Sequence, residues 1–335
     1  MKRNYSIKLI VMLLMAVSFG FSAGPLKNIN SVSTEKSEPK KNEKPVVYMT
    51  KDISSAGLMA IYKALGRNLT GKVAVKISTG EPGGNNFLSP KLIKDLVQSV
   101  NGTIVECNTA YNGKRSSTAQ HKQVAIDHGF TEIAPVDIMD EDSSISIPFE
   151  NGKNIKEDFV GSHFKDYNSF IILSHFKGHA MGGFGGAFKN MSIGIASANG
   201  KMWIHTAGKT HKLEDFALAF KTPQDAFLES MAEAAGAVMN SLGENIIYIS
   251  IMNKMSVDCD CSSHPADPTM CDVGILASFD PVALDQACVD LVYKSPDGKD
   301  LVKRIESKNG IHTLEHAEKL GLGSRTYQIK NIDNN

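Results

Sequence analysis

Residues 169–190, SFIILSHFKGHAMGGFGGAFKN, join an apolar run to a basic, glycine-rich one, and that join decides the fold. Phe170-Ile171-Ile172-Leu173 is short, β-branched and uninterrupted, as a strand buried on both faces should be. The following stretch carries His175, Lys177, His179 and Lys189 around the glycines Gly182, Gly183, Gly185 and Gly186. A buried strand that runs into a polar glycine loop predicts the ligand-binding edge of an open α/β sheet. Glycine N–H groups in such a loop can cradle an anion, and the missing Cβ lets a ligand approach the backbone.

Outward from this segment, strand-like runs recur at 46–49, 72–77, 103–107 and 246–251. Helical patterns lie at 53–65, 89–100 and 118–128, from Thr222-Pro223 to Leu242, and from Asp280-Pro281 onward. Thr222 is the expected cap of the fourth, with Gly243 closing it. The alternation predicts an α/β protein with a largely parallel sheet flanked by helices, either as one body or as two lobes with a cleft between them.

The 335 residues are 42% hydrophobic and 21% charged, with 36 basic and 36 acidic side chains. That balance suits a globular protein and argues against a nucleic-acid partner, because no basic excess exists to neutralise phosphates. Residues 1–23 read as a signal peptide: Lys2, Arg3 and Lys8 precede an apolar run from Leu9 to Phe21, and Ser22-Ala23-Gly24 supplies small residues for cleavage. Residues 24–45 are charged and proline-punctuated, as a flexible linker is. The expectation is an exported protein, periplasmic or extracellular after cleavage, that meets a membrane only through an uncleaved signal.

Three further loops carry chemistry. Residues 78–86, STGEPGGNN, follow Lys76 and include Gly80; both a plain turn and an anion site fit them. Residues 108–115, from Asn108 to Arg115, read either as a solvated loop or as ligand contacts. Asp258-Cys259-Asp260-Cys261, with His264 and Cys271 close behind, offers thiolates and imidazole for a metal. The competing reading is a reactive or disulfide-forming pair, although one intervening residue makes a bridge between Cys259 and Cys261 difficult. Cys107 and Cys288 fall at a strand end and in a helix, where burial is the default.

With these residues laid out, the chain resembles the DUF362 family over residues 46–330. The likeness runs through Lys76 with Gly80-Glu81-Pro82-Gly83, Asn108-Thr109 with Tyr111, Ser174-His175-Phe176-Lys177-Gly178-His179, Gly183–Asn190, Asp258-Cys259-Asp260-Cys261, Asp280-Pro281-Val282-Ala283 and Leu314-Glu315-His316-Ala317. The resemblance implies an iron–sulfur centre. Many members, however, hold one in a cysteine-rich insert, and residues 208–222 contain no cysteine here. Only Cys259, Cys261, His264 and Cys271 are left for it. The stretch from His179 to His205 is also similar to the core motif of nickel-pincer lactate racemases. That likeness implies cofactor attachment at Lys189, nickel ligation at His205 and proton exchange at His179, whereas the arginine-containing substrate loop of that family is not evident.

These readings converge on an exported metal-binding protein with a metal ion or an iron–sulfur centre of unspecified identity. It would act as an enzyme of redox or proton-transfer type, an oxidoreductase or a racemase, on a small anionic molecule and with an electron-transfer partner if redox. The catalytic candidates are His175, His179 and Lys189. The cofactor-binding candidates are Lys76, Gly80, Asn108, Lys177, Gly185, Gly186 and His205, and the metal ligands are Cys259, Cys261, His264 and Cys271. A non-catalytic receptor for an anion or nucleotide would use the same loops.

Overall fold

The computed structural model describes residues 43–333, so the expected signal segment and most of the linker lie outside the described residues. The chain enters at β1 (Val46–Thr50), then α1 (Ser55–Leu65), β2 (Val73–Lys76), α2 (Pro90–Ser99), β3 (Thr103–Glu106), α3 (Thr118–Asp127) and β4 (Val136–Ile138). A hairpin of β5 (Ser144–Pro148) and β6 (Glu157–Gly161) leads to β7 (Ser169–His175) and to a second small hairpin, β8 (Lys177–His179) with β9 (Gly183–Gly185). Helices α4 (Ala187–Met191), α5 (Ala198–His205) and α6 (Gln224–Leu242) follow. The chain closes through β10 (Ile246–Met252), β11 (Gly274–Ser278), α7 (Pro281–Lys294), α8 (Lys299–Ser307), α9 (His312–Lys319) and β12 (Gln328–Asn331).

The main sheet has eight strands in the order β12-β1-β11-β10-β7-β2-β3-β4. Every neighbouring pair is parallel except those of β11 with β1 and with β10, so the sheet is largely parallel, as expected. Its two faces explain the continuous apolar runs. Phe170 and Ile172 of β7, with Tyr248 of β10, join a core that includes Phe188, Ala235 and Val282 on α4, α6 and α7. Ile171 and Leu173, with Ile247 and Ile249, join the core beneath α1 and α2, where Leu58, Ile61 and Ile93 lie. Alternate side chains thus serve opposite layers, and a strand covered on both faces loses its polar alternation.

Local chemistry fixes the helix ends. Pro281 opens α7 and the Asp280 carboxylate accepts the Ala283 N–H at 2.9 Å. Ser197 caps α5 through the Gly200 N–H at 3.1 Å. The expected Thr222 cap is not formed: Pro223 holds the cap position of α6, and the Thr222 hydroxyl donates backward to the Leu218 carbonyl instead. The two-lobe alternative is not realised either, because everything from Lys44 onward forms one unit. Among the described residues no helix is long and apolar enough to cross a membrane.

What matters for function is the edge of the sheet. In the parallel register Lys76 of β2 stands beside Val105 of β3 and Ile172 of β7. The three strands run the same way, so the loops after Lys76, Glu106 and His175 emerge together.

Candidate functional site

These loops, with α4 and α5, enclose a cavity of about 230 Å³ lined by Lys76, Glu106, Tyr111, Arg115, His179, Lys189, Lys201, His205 and Cys261, among others. The sequence suggested a glycine loop carrying the histidines; the structure shows order instead. His175 ends β7, and Lys177 and His179 belong to β8, whose register with β9 pairs Lys177 with Gly185 and His179 with Gly183. Backbone pairing within this hairpin satisfies groups that a free loop would have left for a ligand.

Several candidates prove to be committed internally. Glu106, which the sequence reading passed over, is the resident anion of the first two loops. Its carboxylate accepts from Thr79 N–H at 2.7 Å, Lys76 Nζ at 3.0 Å and Arg115 Nη1 at 3.3 Å. Burial opposes its ionisation, yet Lys76, Arg115 and His121 hold its pKa down to about 2. The Thr79 amide and the Lys76 amine, the donors suited to a bound anion, are therefore taken. Gly80 answers to the turn: its φ is +82° and a Cβ would lie 2.7 Å from the Phe87 ring. Asn108 bonds Thr118, His121 and, through its N–H, Asp140. Arg115 pairs with Glu81 at 2.8 Å, so two loops that the sequence treated separately are tied together.

A second closed network surrounds Asp260. Its carboxylate receives Lys177 Nζ at 2.5 Å and His175 Nδ1 at 3.1 Å, while His175 Nε2 faces the Asn253 carbonyl at 2.6 Å. All three residues are buried. Asp260 stays ionised far below the ordinary carboxylate range because these cations outweigh the cost of burial. The Lys177 amine is lowered by burial and partly restored by Asp260. With both ring nitrogens on fixed acceptors, His175 has no free atom for a substrate proton. Gly186 belongs to packing as well: a Cβ there would lie 2.3 Å from Asp285, whose carboxylate accepts the N–H groups of Ala187 and Phe188 at the start of α4. At Gly185 a Cβ would make only ordinary contact with Lys189.

What remains open is His179, Lys189 and His205. The Lys189 amine makes no hydrogen bond or ion pair among the described residues. It lines the main cavity and, with Lys177, a neighbouring one of about 30 Å³. Burial and the nearby Lys177 charge pull its pKa down to about 7, so a neutral amine is present near neutral pH. His179 Nδ1 accepts the backbone N–H groups of Gly182 at 2.8 Å and Met181 at 3.3 Å. A neutral ring must then carry its proton on Nε2. Burial, followed by the Lys189 and His205 charges, keeps it neutral well below the usual histidine range. His205 has the opposite tautomer. Its Nδ1 lies 2.6 Å from the Lys201 carbonyl and must donate, leaving a lone pair on Nε2. The ring stacks on Phe227 with centroids 4.8 Å apart, and burial lowers its pKa to about 4. The cavity is therefore lined by one imidazole donor, one imidazole acceptor and one amine without a partner.

Lys201 was not singled out from sequence, although it stands one helical turn before His205 on α5, a spacing that puts the two on one face. Its amine donates to the Ala196 carbonyl at 2.6 Å and has no carboxylate hydrogen-bond partner among the described residues. Cys107, also on the lining, gives its thiol to the Ile195 carbonyl, and burial raises its pKa far above the normal thiol range.

The cysteine loop differs most from expectation. Cys259 and Cys261 are joined by a disulfide, because the turn brings their Cα atoms to 5.2 Å, a span that a bridge covers. A ring nitrogen of His179 and the two sulfurs lie within 4.8 Å of one another, and among the described residues this is the group placed to share a metal ion. His264 and Cys271 are not part of it: His264 is exposed beside Ser263, and Cys271 is exposed with its N–H on Asp297. The remaining cysteines, Cys107 and Cys288, are buried in the core, so no cysteine set for an iron–sulfur cluster is assembled among the described residues.

No curated protein matches the sequence. Solved structures that are similar in backbone include two of 10–13% identity. One is the lactate racemase apoprotein of Thermoanaerobacterium thermosaccharolyticum, at 13% identity over 73% of this chain and 56% of that one, with a TM-score of 0.43. The other is a protein of Thermotoga maritima, at 10% identity over 79% of this chain and 58% of that one, with a TM-score of 0.38. This chain thus spans less than two thirds of the length of either. The model of a domain of unknown function matches residues 73–290, and on that ground the chain belongs to the DUF362 family.

Proposed function

We propose that this protein is an enzyme that transfers protons on a small anionic molecule bound in the cavity beside β2, β3 and β7. The observation that carries the reading is the Lys189 amine, without a partner, lining the same cavity as a histidine donor and a histidine acceptor. His205 Nε2 is the base, His179 Nε2–H polarises the substrate oxygen, and Lys189 acts as an amine near its titration point, where acid–base groups are most effective. Lys201 supports an anionic substrate, since its buried amine bonds only carbonyl oxygens among the described residues. A volume below that of most drug-sized sites suits a metabolite of few atoms.

The test is deuterium incorporation from D₂O into small 2-hydroxy and 2-oxo carboxylates, read by mass spectrometry. Exchange that falls roughly 10²-fold or more in Lys189→Met and His205→Phe is the expected result. Binding of these acids without exchange in the unmodified protein would make it a receptor instead.

A metal-dependent second reading rests on His179, Cys259 and Cys261. Two thiolates and an imidazole suit zinc, iron or nickel once the disulfide is reduced. His179 would also have to give up the two N–H groups on Nδ1, since a ring bound through Nε2 carries its proton there. Stoichiometric zinc uptake after reduction, lost in Cys259→Ser with Cys261→Ser, supports this reading. The attached nickel group that the motif likeness implies would find a free amine at Lys189 and an open Nε2 at His205, and would supply a metal centre beside the substrate.

Export is part of the proposal, supported by the basic and apolar residues between Lys2 and Phe21. An oxidising compartment would keep Cys259 and Cys261 bridged.

A further inference from the structure

The proposed function leaves the substrate class open, and the cavity narrows it. Besides its polar residues, the lining includes Met181, Ile193, Phe216, Ala219 and Phe220. Three of these come from the 3₁₀ segment Leu213–Lys221, where Phe220 is 70% exposed and Leu213 and Leu218 are also exposed. Phe220 meets Phe216 edge to face with ring centroids 5.5 Å apart, yet most of its surface stays in water beside a cavity lined by lysines and imidazoles. A ligand with an apolar body would cover it.

We propose that the ligand is a 2-oxo carboxylate bearing an apolar side chain, held covalently as an imine on Lys189. This deepens the proton-transfer reading and rests on it. Lys201 meets the carboxylate, since its amine otherwise bonds only carbonyl oxygens. Phe216, Phe220 and Met181 meet the apolar body. The carbonyl carbon then comes to Lys189 Nζ, which bonds no acidic side chain among the described residues. An amine desolvated beside a second cation is the known way to make a lysine nucleophilic at neutral pH.

The step balances without an oxidant or reductant. The Nζ lone pair forms the C–N bond while the carbonyl π pair moves to oxygen, which His179 Nε2–H stabilises by hydrogen bonding. His205 Nε2 carries the two amine protons in turn to that oxygen. It leaves as water, and the nitrogen lone pair closes the C=N bond.

The experiment uses the full mature chain. Its intact mass is measured first, and a group already attached at Lys189 overturns the proposal. The protein is then incubated with phenylpyruvate or with pyruvate, reduced with borohydride, and mapped by peptide mass. Equilibrium binding of both acids is measured in parallel by calorimetry. The expected result is an adduct on Lys189, absent in Lys189→Met, formed about tenfold more readily from phenylpyruvate. In Phe220→Ser, an exposed position whose change leaves folding intact, that preference falls to near unity. Binding of both acids with no trapped adduct overturns the imine and leaves the anion site standing. Trapping with no preference for phenylpyruvate overturns the apolar subsite. Neither binding nor trapping removes this proposal and the anionic-substrate reading together.

Discussion

Two sets of nearby groups share the same stretch of chain and behave oppositely. His175 and Lys177 close upon Asp260, every polar atom with a partner. His179, Lys189 and His205 keep one nitrogen each without a partner, on one cavity. Both sets are basic and largely buried. The difference lies in a single carboxylate: Asp260 bonds directly to the first set, whereas no carboxylate among the described residues bonds to the second. A buried cation that is paired supports the fold, whereas one left unpaired loses its proton more easily and becomes reactive.

Substitutions should pull this contrast apart. The largest stability effect is expected at Asp260→Ala, which strands Lys177 and His175 and should cost about 3–5 kcal/mol in urea unfolding. Lys189→Met should act the other way, abolishing proton exchange while stabilising the fold at low pH. The sign follows from linkage. The Lys189 pKa near 7 lies below that of an unfolded lysine, near 10.4. Between these values the unfolded chain binds more protons, so the native protein gains stability as pH rises from 7 toward 10 and carries the full cost below 7. The Met variant should lose this dependence, and unfolding at pH 6 and pH 9 checks it. If both pH values give the same difference between variant and parent, the open character of Lys189 is refuted.

Asp285→Ala leaves the Ala187 and Phe188 N–H groups unsatisfied beneath α4 and should cost roughly 1–3 kcal/mol. Because burial raises the Asp285 pKa to about 7, the native state binds the extra proton above the unfolded value. Its contribution to stability should therefore decline from about pH 4 to 7 in the parent protein and be absent in Asp285→Asn. Phe220→Ser should change thermal stability least, within about 0.5 kcal/mol, since its ring is mostly in water.

The apolar runs at β1, β2, β3, β7 and β10 were legible because strands covered on both faces carry little polar alternation. The equally apolar run Gly274-Ile275-Leu276-Ala277 was not read as a strand, and its antiparallel place in the sheet as β11 could not come from composition. The triplet of His179, Lys189 and His205 was legible as clustered chemistry on a glycine-rich segment. The exclusion of His175 and Lys177 from it was not, because Asp260 arrives from a loop remote in sequence. Glu106 was missed for a related reason: within a strand it reads as an interruption, and only the convergence of Lys76, Thr79 and Arg115 makes it a structural anion.

The sequence by itself determined that strands and helices alternate, that the basic glycine-rich stretch follows a buried strand, and that the charges balance. These depend on residue type and on neighbours along the chain. Only the tertiary structure decided which charges are neutralised and which stay open, where each imidazole keeps its proton, and that Cys259 and Cys261 face His179 while His264 and Cys271 do not. Those outcomes turn on distances of a few ångströms between distant segments, and in a buried site such distances set both hydrogen bonding and proton affinity.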